Sequence, residues 1–173
     1  MSIYVQDPLH SEIEFKIKHL MISNVRGRFS NFEVTMNSKS KDFSDAKIFC
    51  KVDMKSIYTG ISERDSHLKS SDFFDVEKYP YATFLGKDIK EDSGKYVVYG
   101  CLTIKGVKND IQLNVSYNGS DVDNVGTEKH GFDLETSINR KDWNLNFNIA
   151  GGKNTLLIGD EVKIFASIQM VQK

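Results

Sequence analysis

Two cysteines in 173 residues cannot staple a disulfide-built scaffold, and two prolines cannot make a proline-rich linker. Charge of either sign is not in excess. The 23 Lys and Arg stand against 24 Asp and Glu for a net charge of -1, so the summed field offers no general attraction to a polyanion, and nucleic acid is not an expected partner. No apolar run approaches the ~20 residues that span a bilayer as a helix. The opening residues Met1 to Asp7 lack a basic segment followed by an apolar one, and the chain is expected to reside in the cytoplasm. Repeats and low-complexity tracts are missing too, which points to one domain over residues 1–173.

Several kinds of chemistry lack their residues. The four histidines, His10, His19, His67 and His130, show no i, i+2 or i, i+4 spacing of the sort zinc ligands use, so no metal is expected. Asp121 to Gly126 resembles the start of a Ca²⁺ loop, but Val125 replaces an oxygen ligand and Phe132 stands where the bidentate Glu belongs. Gly151-Gly152-Lys153-Asn154 lacks the earlier Gly and the following Ser or Thr of a phosphate loop, and reads as a turn. No motif supports a nucleophile with a base.

What the chain does carry is alternation. Eight stretches place apolar residues at every second position, as a strand with one dry and one wet face must. They hold Ile13, Phe15 and Ile17; Val25, Phe29 and, after a one-residue slip, Phe32, Val34 and Met36; Ile48, Cys50, Val52 and Met54; Ala82 and Phe84. The remaining four hold Tyr96, Val98, Leu102 and Ile104; Ile111, Leu113, Val115 and Tyr117; Phe132, Leu134 and Ile138; and Val162 to Met170. All eight apolar faces can share one interior, so the expected architecture is all-β: an eight-stranded antiparallel barrel. Polar, loop-like segments are expected at residues 37–44, 90–95, 118–129 and 148–160, and Pro8 and Pro80 stand at strand starts, where a missing N–H costs least.

One short helix is expected at Ser62 to Lys69, between the third and fourth strands, with Ser62 capping and Asp65 answering from the first turn. It could cover the barrel mouth as a lid or close one end as a plug. Cys50 has inward parity and Cys101 outward parity, so a bridge between them is not expected. Gly27, Gly86 and Gly100 share the inward parity, which implies a bend, a close backbone approach or empty volume. Eight strands are a borderline number, at which side chains can fill the lumen or leave room for one small ligand.

The residues on these strands resemble the YceI-like family of lipocalin-like, polyisoprenoid-binding barrels. The likeness is carried by His10 to Phe15, Val25 to Phe29, Arg64 to Ser70 with Asp72 to Val76, and Tyr79-Pro80 leading to Ala82-Thr83-Phe84. It continues through Gly100 to Val107, Ile138 to Trp143 and Gly159 to Val162. Cys101 stands where the family usually carries Asp, and Trp143-Asn144 where Phe-Gly is common. The resemblance implies a lumen that holds a long isoprenoid, a quinone or a related lipid, often in a homodimer, with no other cofactor.

Each methylene moved from water into an apolar lumen contributes ~0.8 kcal/mol, so about ten buried carbons supply on the order of 8 kcal/mol before ordering costs. The expected chain contacts are Phe15, Ile17, Phe29, Ile48, Val52, Phe84, Val98, Leu113, Val115, Phe132 and Ile164. A head group could meet His10, Arg26 or Arg140, since guanidinium suits phosphate and carboxylate. The expected function is non-catalytic lipid binding. The alternatives are an enzyme acting on a small lipid-like substrate, which requires His10, Arg140 and Asp142 to converge at the mouth, and a structural partner protein with a filled interior.

Overall fold

The computed structural model describes residues 1–93, 95–150 and 157–173. Residues 151–154, expected from the sequence to form a turn, lie outside the described residues. Eleven strands follow one another: β1 (Ser2–Gln6), β2 (Glu12–His19), β3 (Ser23–Phe29), β4 (Phe32–Ser38), β5 (Lys47–Asp53), β6 (Ile57–Tyr58), β7 (Tyr81–Asp92), β8 (Lys95–Ile104), β9 (Val107–Val122), β10 (Glu128–Asn139) and β11 (Ile158–Gln172). Among the described residues there is one α-helix, α1 (Ser62–Lys69), between β6 and β7. All pairings are antiparallel, and the order β1-β4-β5-β7-β8-β9-β10-β11 closes on itself because β11 returns to β1.

The eleven strands form eight ribbons. β11 pairs with β2 along Ile158 to Ser167 and with β1 along Met170 to Gln172, so β1 and β2 are halves of one ribbon broken where Pro8 withholds an N–H. β3 and β4 are likewise halves of the next, and β5 and β6 of the third, which breaks at a 3-10 turn over Met54–Ser56 capped by the Asp53 carboxylate. The placement of the helix is therefore corrected: it follows the sixth strand rather than the third, because three ribbons are each cut in two.

Two local expectations also change. Ser62 sits inside the helix and Ile61 holds the cap position without a side-chain bond, while the Asp65 carboxylate turns back to accept from the Thr59 N–H at 2.9 Å and from its hydroxyl. The polar segments 90–95 and 118–129 are largely strand: Asp92 pairs with Lys95, and Val122 with Glu128. Ladder hydrogen bonds come from the backbone, so a hairpin continues past the point where its apolar alternation stops.

Apolar side chains pack at both ends of the barrel, and only one end is sealed. At one end Tyr4, Phe32, Met36, Phe43, Ala46, Ala166, Ile168 and Met170 are buried together. Phe43, from the β4–β5 loop, is the hub, its ring meeting Tyr4, Tyr117, His130 and Phe132 edge-on at 5.3–5.5 Å between centroids. At the other end Met54, Val76, Ala82, Ile104, Ile138 and Leu145 surround Trp143, whose indole N–H donates to the Leu102 carbonyl at 3.1 Å. Between these clusters the inward side chains are only half-buried: Phe15, Ile17, Val25, Phe29, Ile48, Leu113 and Leu134 point into the barrel yet keep accessible surface. That combination requires a hollow.

Candidate functional site: the barrel lumen

The hollow is a cavity of 460 Å³, within the ~300–1,000 Å³ usual for small-ligand sites. Nine of the fourteen residues proposed from sequence line it: Phe15, Ile17, Phe29, Ile48, Val52, Phe84, Leu113, Ile164 and Arg140. Val98, Val115 and Phe132 instead line a separate void of 80 Å³ beside the Phe43 cluster. Val34, Ile48, Leu113, Leu134 and Ile168 border both spaces and form the wall between them. His10 and Arg26 line neither. His10 is held by Asp7, Nδ1 to Oδ2 at 3.0 Å, and Arg26 is exposed, because its parity on β3 is outward.

Arg140 reaches the cavity wall, but its hydrogen-bonding capacity goes to the chain itself. Nε donates to the Gly159 carbonyl at 2.8 Å, Nη1 to the carbonyls of Leu145 and Phe147, and Asp160 lies 3.7 Å from Nη2. Burial lowers its pKa, with the Asp160 carboxylate opposing. The guanidinium thereby ties the 3-10 turn at Arg140–Trp143 to the start of β11. Of the three residues the enzyme alternative needs, His10, Arg140 and Asp142, only Arg140 borders the lumen.

The polar rim falls on residues that the sequence reading did not single out for binding. Lys18 and His19 at the end of β2, and Arg64 and His67 on α1, all line the cavity. Arg64 donates to the Thr59 hydroxyl at 2.7 Å and to its carbonyl at 2.8 Å, while His67 bonds Asp72 at 2.7 Å and stands edge-on to Phe73 and Phe147. The helix covers the mouth, with Leu68 facing the lumen beside them. The Arg64-Asp65-Ser66-His67-Leu68 run was visible in the sequence, but only tertiary placement shows which of its residues turn inward.

Glycine acts differently at each lumen position. A Cβ on Gly27 would meet the ring of Phe15 at 2.3 Å, and one on Gly100 the ring of Phe84 at 2.4 Å, so both openings are filled by a neighbouring phenyl. At Gly86 the register shifts before Asp88, and the glycine serves a bend. Empty volume therefore comes from the spacing of the ribbons rather than from missing side chains. The inward Cys50 thiol lines the cavity, and burial pushes its pKa up to about 12. Cys101 faces the other side of the sheet, and both are free.

A shallower groove of 540 Å³ crosses β8 to β11 and β2, but it is open to solvent and edged by the carboxylates of Glu12, Glu14, Asp133 and Glu135. Such a rim suits no apolar chain. Among the described residues no helix is long and apolar enough to cross a membrane.

The chain that forms this closed antiparallel barrel matches a family model, the YceI-like domain, over residues 4–170. The chain belongs to the YceI-like family. Among curated relatives, a UPF0312 protein of Staphylococcus aureus (strain MSSA476) is 36% identical over 170 residues, covering 98% of this chain and 97% of that protein. Among solved structures, the YceI protein of Campylobacter jejuni is 31% identical with a TM-score of 0.76, covering 91% of each chain. BcnA of Burkholderia cenocepacia is 24% identical with a TM-score of 0.81 over 95% of this chain and 98% of that one. A polyisoprenoid-binding domain from Saccharophagus degradans, implicated in plant cell wall breakdown, shares the fold at 17% identity and a TM-score of 0.72, covering 98% of each chain. The barrel and the family read from the sequence are thus in place.

Proposed function

We propose that this YceI-like protein is a non-catalytic binding protein that holds one long-chain isoprenoid, a quinone or a similar lipid in its lumen, for carriage, storage or sequestration. The observation that carries the reading is the 460 Å³ cavity whose inward apolar side chains stay half-buried between two packed ends. The name of the Saccharophagus domain, polyisoprenoid-binding, supports the same ligand class.

Shape narrows the ligand further. Along β11 the lining runs from Ile158 to Ile168, which at ~3.3 Å per residue and the tilt of barrel strands is about 25 Å of axial length. One leaflet of a bilayer, half of the ~30 Å hydrocarbon core, is shorter. A narrow passage of that length favours a single extended chain over a compact or branched ligand. Apolar burial then supplies the affinity, and lumen length and shape the selectivity.

The test is organic extraction of protein purified from its own host, followed by mass spectrometry, with binding of added isoprenoid alcohols and quinones to a delipidated sample. A long-chain lipid recovered in near-stoichiometric amount is the expected result. Recovery of none, together with no uptake of the added lipids, rejects the reading.

A further inference from the structure

The connection between β2 and β3 is built in an unusual way. The turn is closed by the Ile22 N–H donating to the His19 carbonyl at 3.1 Å, and both central residues, Leu20 (φ 51°) and Met21 (φ 61°), hold left-handed backbone conformations. Asn, Asp and Gly normally occupy such positions, because a larger side chain is strained there. Here the tip is Leu-Met-Ile, with Met21 57% and Ile22 83% exposed. Strain and exposed apolar surface are both accepted at one spot.

That spot adjoins the mouth. The Leu20 N–H donates to the Leu157 carbonyl at 2.8 Å, and the Leu157 N–H to the Ile149 carbonyl at 2.9 Å, so the turn is tied to two residues that line the cavity. Ile149 is 54% exposed. Lys18, His19, Arg64 and His67 line the same mouth, against the carboxylates of Glu14 and of Asp72, which is bonded to His67. Apolar tips flanked by the Lys18 and Arg64 cations have the amphipathic chemistry of a surface that rests in the interfacial layer of a bilayer.

We propose that the mouth docks on a lipid membrane through Met21, Ile22 and Ile149, and that lipid passes between bilayer and lumen there without crossing open water. This rests on the lipid-binding reading above, but vesicle binding and lipid binding are measured separately, so either can fail alone. A protein partner is the competing occupant of an exposed apolar tip. The flanking cations and the direct opening onto an apolar lumen favour lipid.

The experiment is co-sedimentation of the full chain with vesicles of phosphatidylcholine, alone or with a quarter phosphatidylglycerol. The wild type is expected to partition onto both and more strongly onto the anionic ones. M21E/I22E is expected to lose partition ~10-fold or more, as two apolar side chains no longer leave water. V125E, placed on the 79% exposed Val125 in the turn between β9 and β10, is expected to bind as the wild type does. L20N/M21G, which puts favoured residues at the left-handed positions, separates docking from folding: it is expected to melt at a higher temperature and yet bind vesicles less. Uptake of a dispersed lipid without vesicles is expected to stay within twofold in every variant. Absence of wild-type sedimentation with either vesicle, wild-type-like sedimentation of M21E/I22E, or an equal loss in V125E overturns the proposal.

Discussion

The ring of Phe84 on β7 lies over the backbone of Gly100 on β8, diagonal to it across the ladder, so closely that a methyl group there would sit 2.4 Å from the ring and 2.5 Å from the Leu85 carbonyl oxygen. The ring could turn aside, but the carbonyl belongs to the ladder. Gly100→Ala is therefore expected to destabilise the barrel by about 1–3 kcal/mol through overpacking. Urea unfolding of the variant against the wild type checks this, and an unchanged midpoint would show that the sheet absorbs the methyl.

Phe43 closes the far end from a left-handed backbone conformation (φ 60°), and its loop is held by Asp45, whose carboxylate accepts from Ser38 and Ser40 hydroxyls at 2.6 and 2.7 Å. Those bonds keep the Asp45 carboxyl far below the usual carboxylate range. Phe43→Ala is expected to cost about 3–5 kcal/mol. The 80 Å³ void would then open toward the removed ring, and chains long enough to push past the Leu113 wall into it should gain affinity relative to shorter ones. A series of isoprenoid alcohols of increasing length, titrated into both proteins, reads that shift. An unaltered length preference would mean that the chain stops short of Phe43.

Leu113 borders both the main cavity and the smaller void. Leu113→Trp adds bulk midway along the lumen and is expected to weaken lipid binding at least tenfold (~1.4 kcal/mol) while the barrel stays folded by circular dichroism. Binding equal to that of the wild type would place the ligand elsewhere.

Asp7 accepts from Lys129 at 2.8 Å and contacts His10 at 3.0 Å, and these partners lower its pKa from 3.8 to about 2. A carboxyl with a depressed folded pKa adds stability that is present above its unfolded value, near 3.8, and is lost as pH falls through about 2. The contribution is about 1 kcal/mol once solvent screening is allowed for. The stability difference between wild type and Asp7→Asn should therefore be largest above pH 4, shrink as pH falls, and vanish only below about pH 2. Urea midpoints across that range give the measurement, and a pH-independent difference counts against the linkage.

With its pKa near 12, the Cys50 thiol stays protonated at neutral pH, and it faces the lumen. Thiolate is the reactive form. N-ethylmaleimide at pH 8 is expected to modify Cys101 many times faster than Cys50, and bound lipid should slow Cys50 further. Equal rates for the two, read by mass spectrometry of the peptides, would place Cys50 outside the sealed interior.

The expected helix at Ser62 to Lys69 formed over those same residues, yet its count along the chain was wrong. The slip between Phe29 and Phe32 was visible as a break in parity, but β1, with one buried residue, and the two-residue β6 carried no alternation long enough to recognise. The lumen list behaved in the same way. Apolar contacts chosen by parity reached one hollow or the other, whereas the head-group candidates His10 and Arg26 did not, because charged residues near a mouth have no periodic signature.

Sequence alone was enough to say which side chains face inward, since the side on which a residue leaves a strand depends only on its place in the alternation. It was enough to expect one shared interior, because eight one-sided ribbons hide their apolar faces together, but closure into a barrel instead of a two-sheet sandwich is seen in the pairing of β11 with β1. Whether the enclosed space was full was decided only in three dimensions. Phe15 and Phe84 refill the gaps at Gly27 and Gly100, Phe43 seals one end and Trp143 packs against the other, and none of these meetings is between chain neighbours. A void is what remains after distant atoms have been summed across the barrel, and no local stretch of residues encodes that remainder.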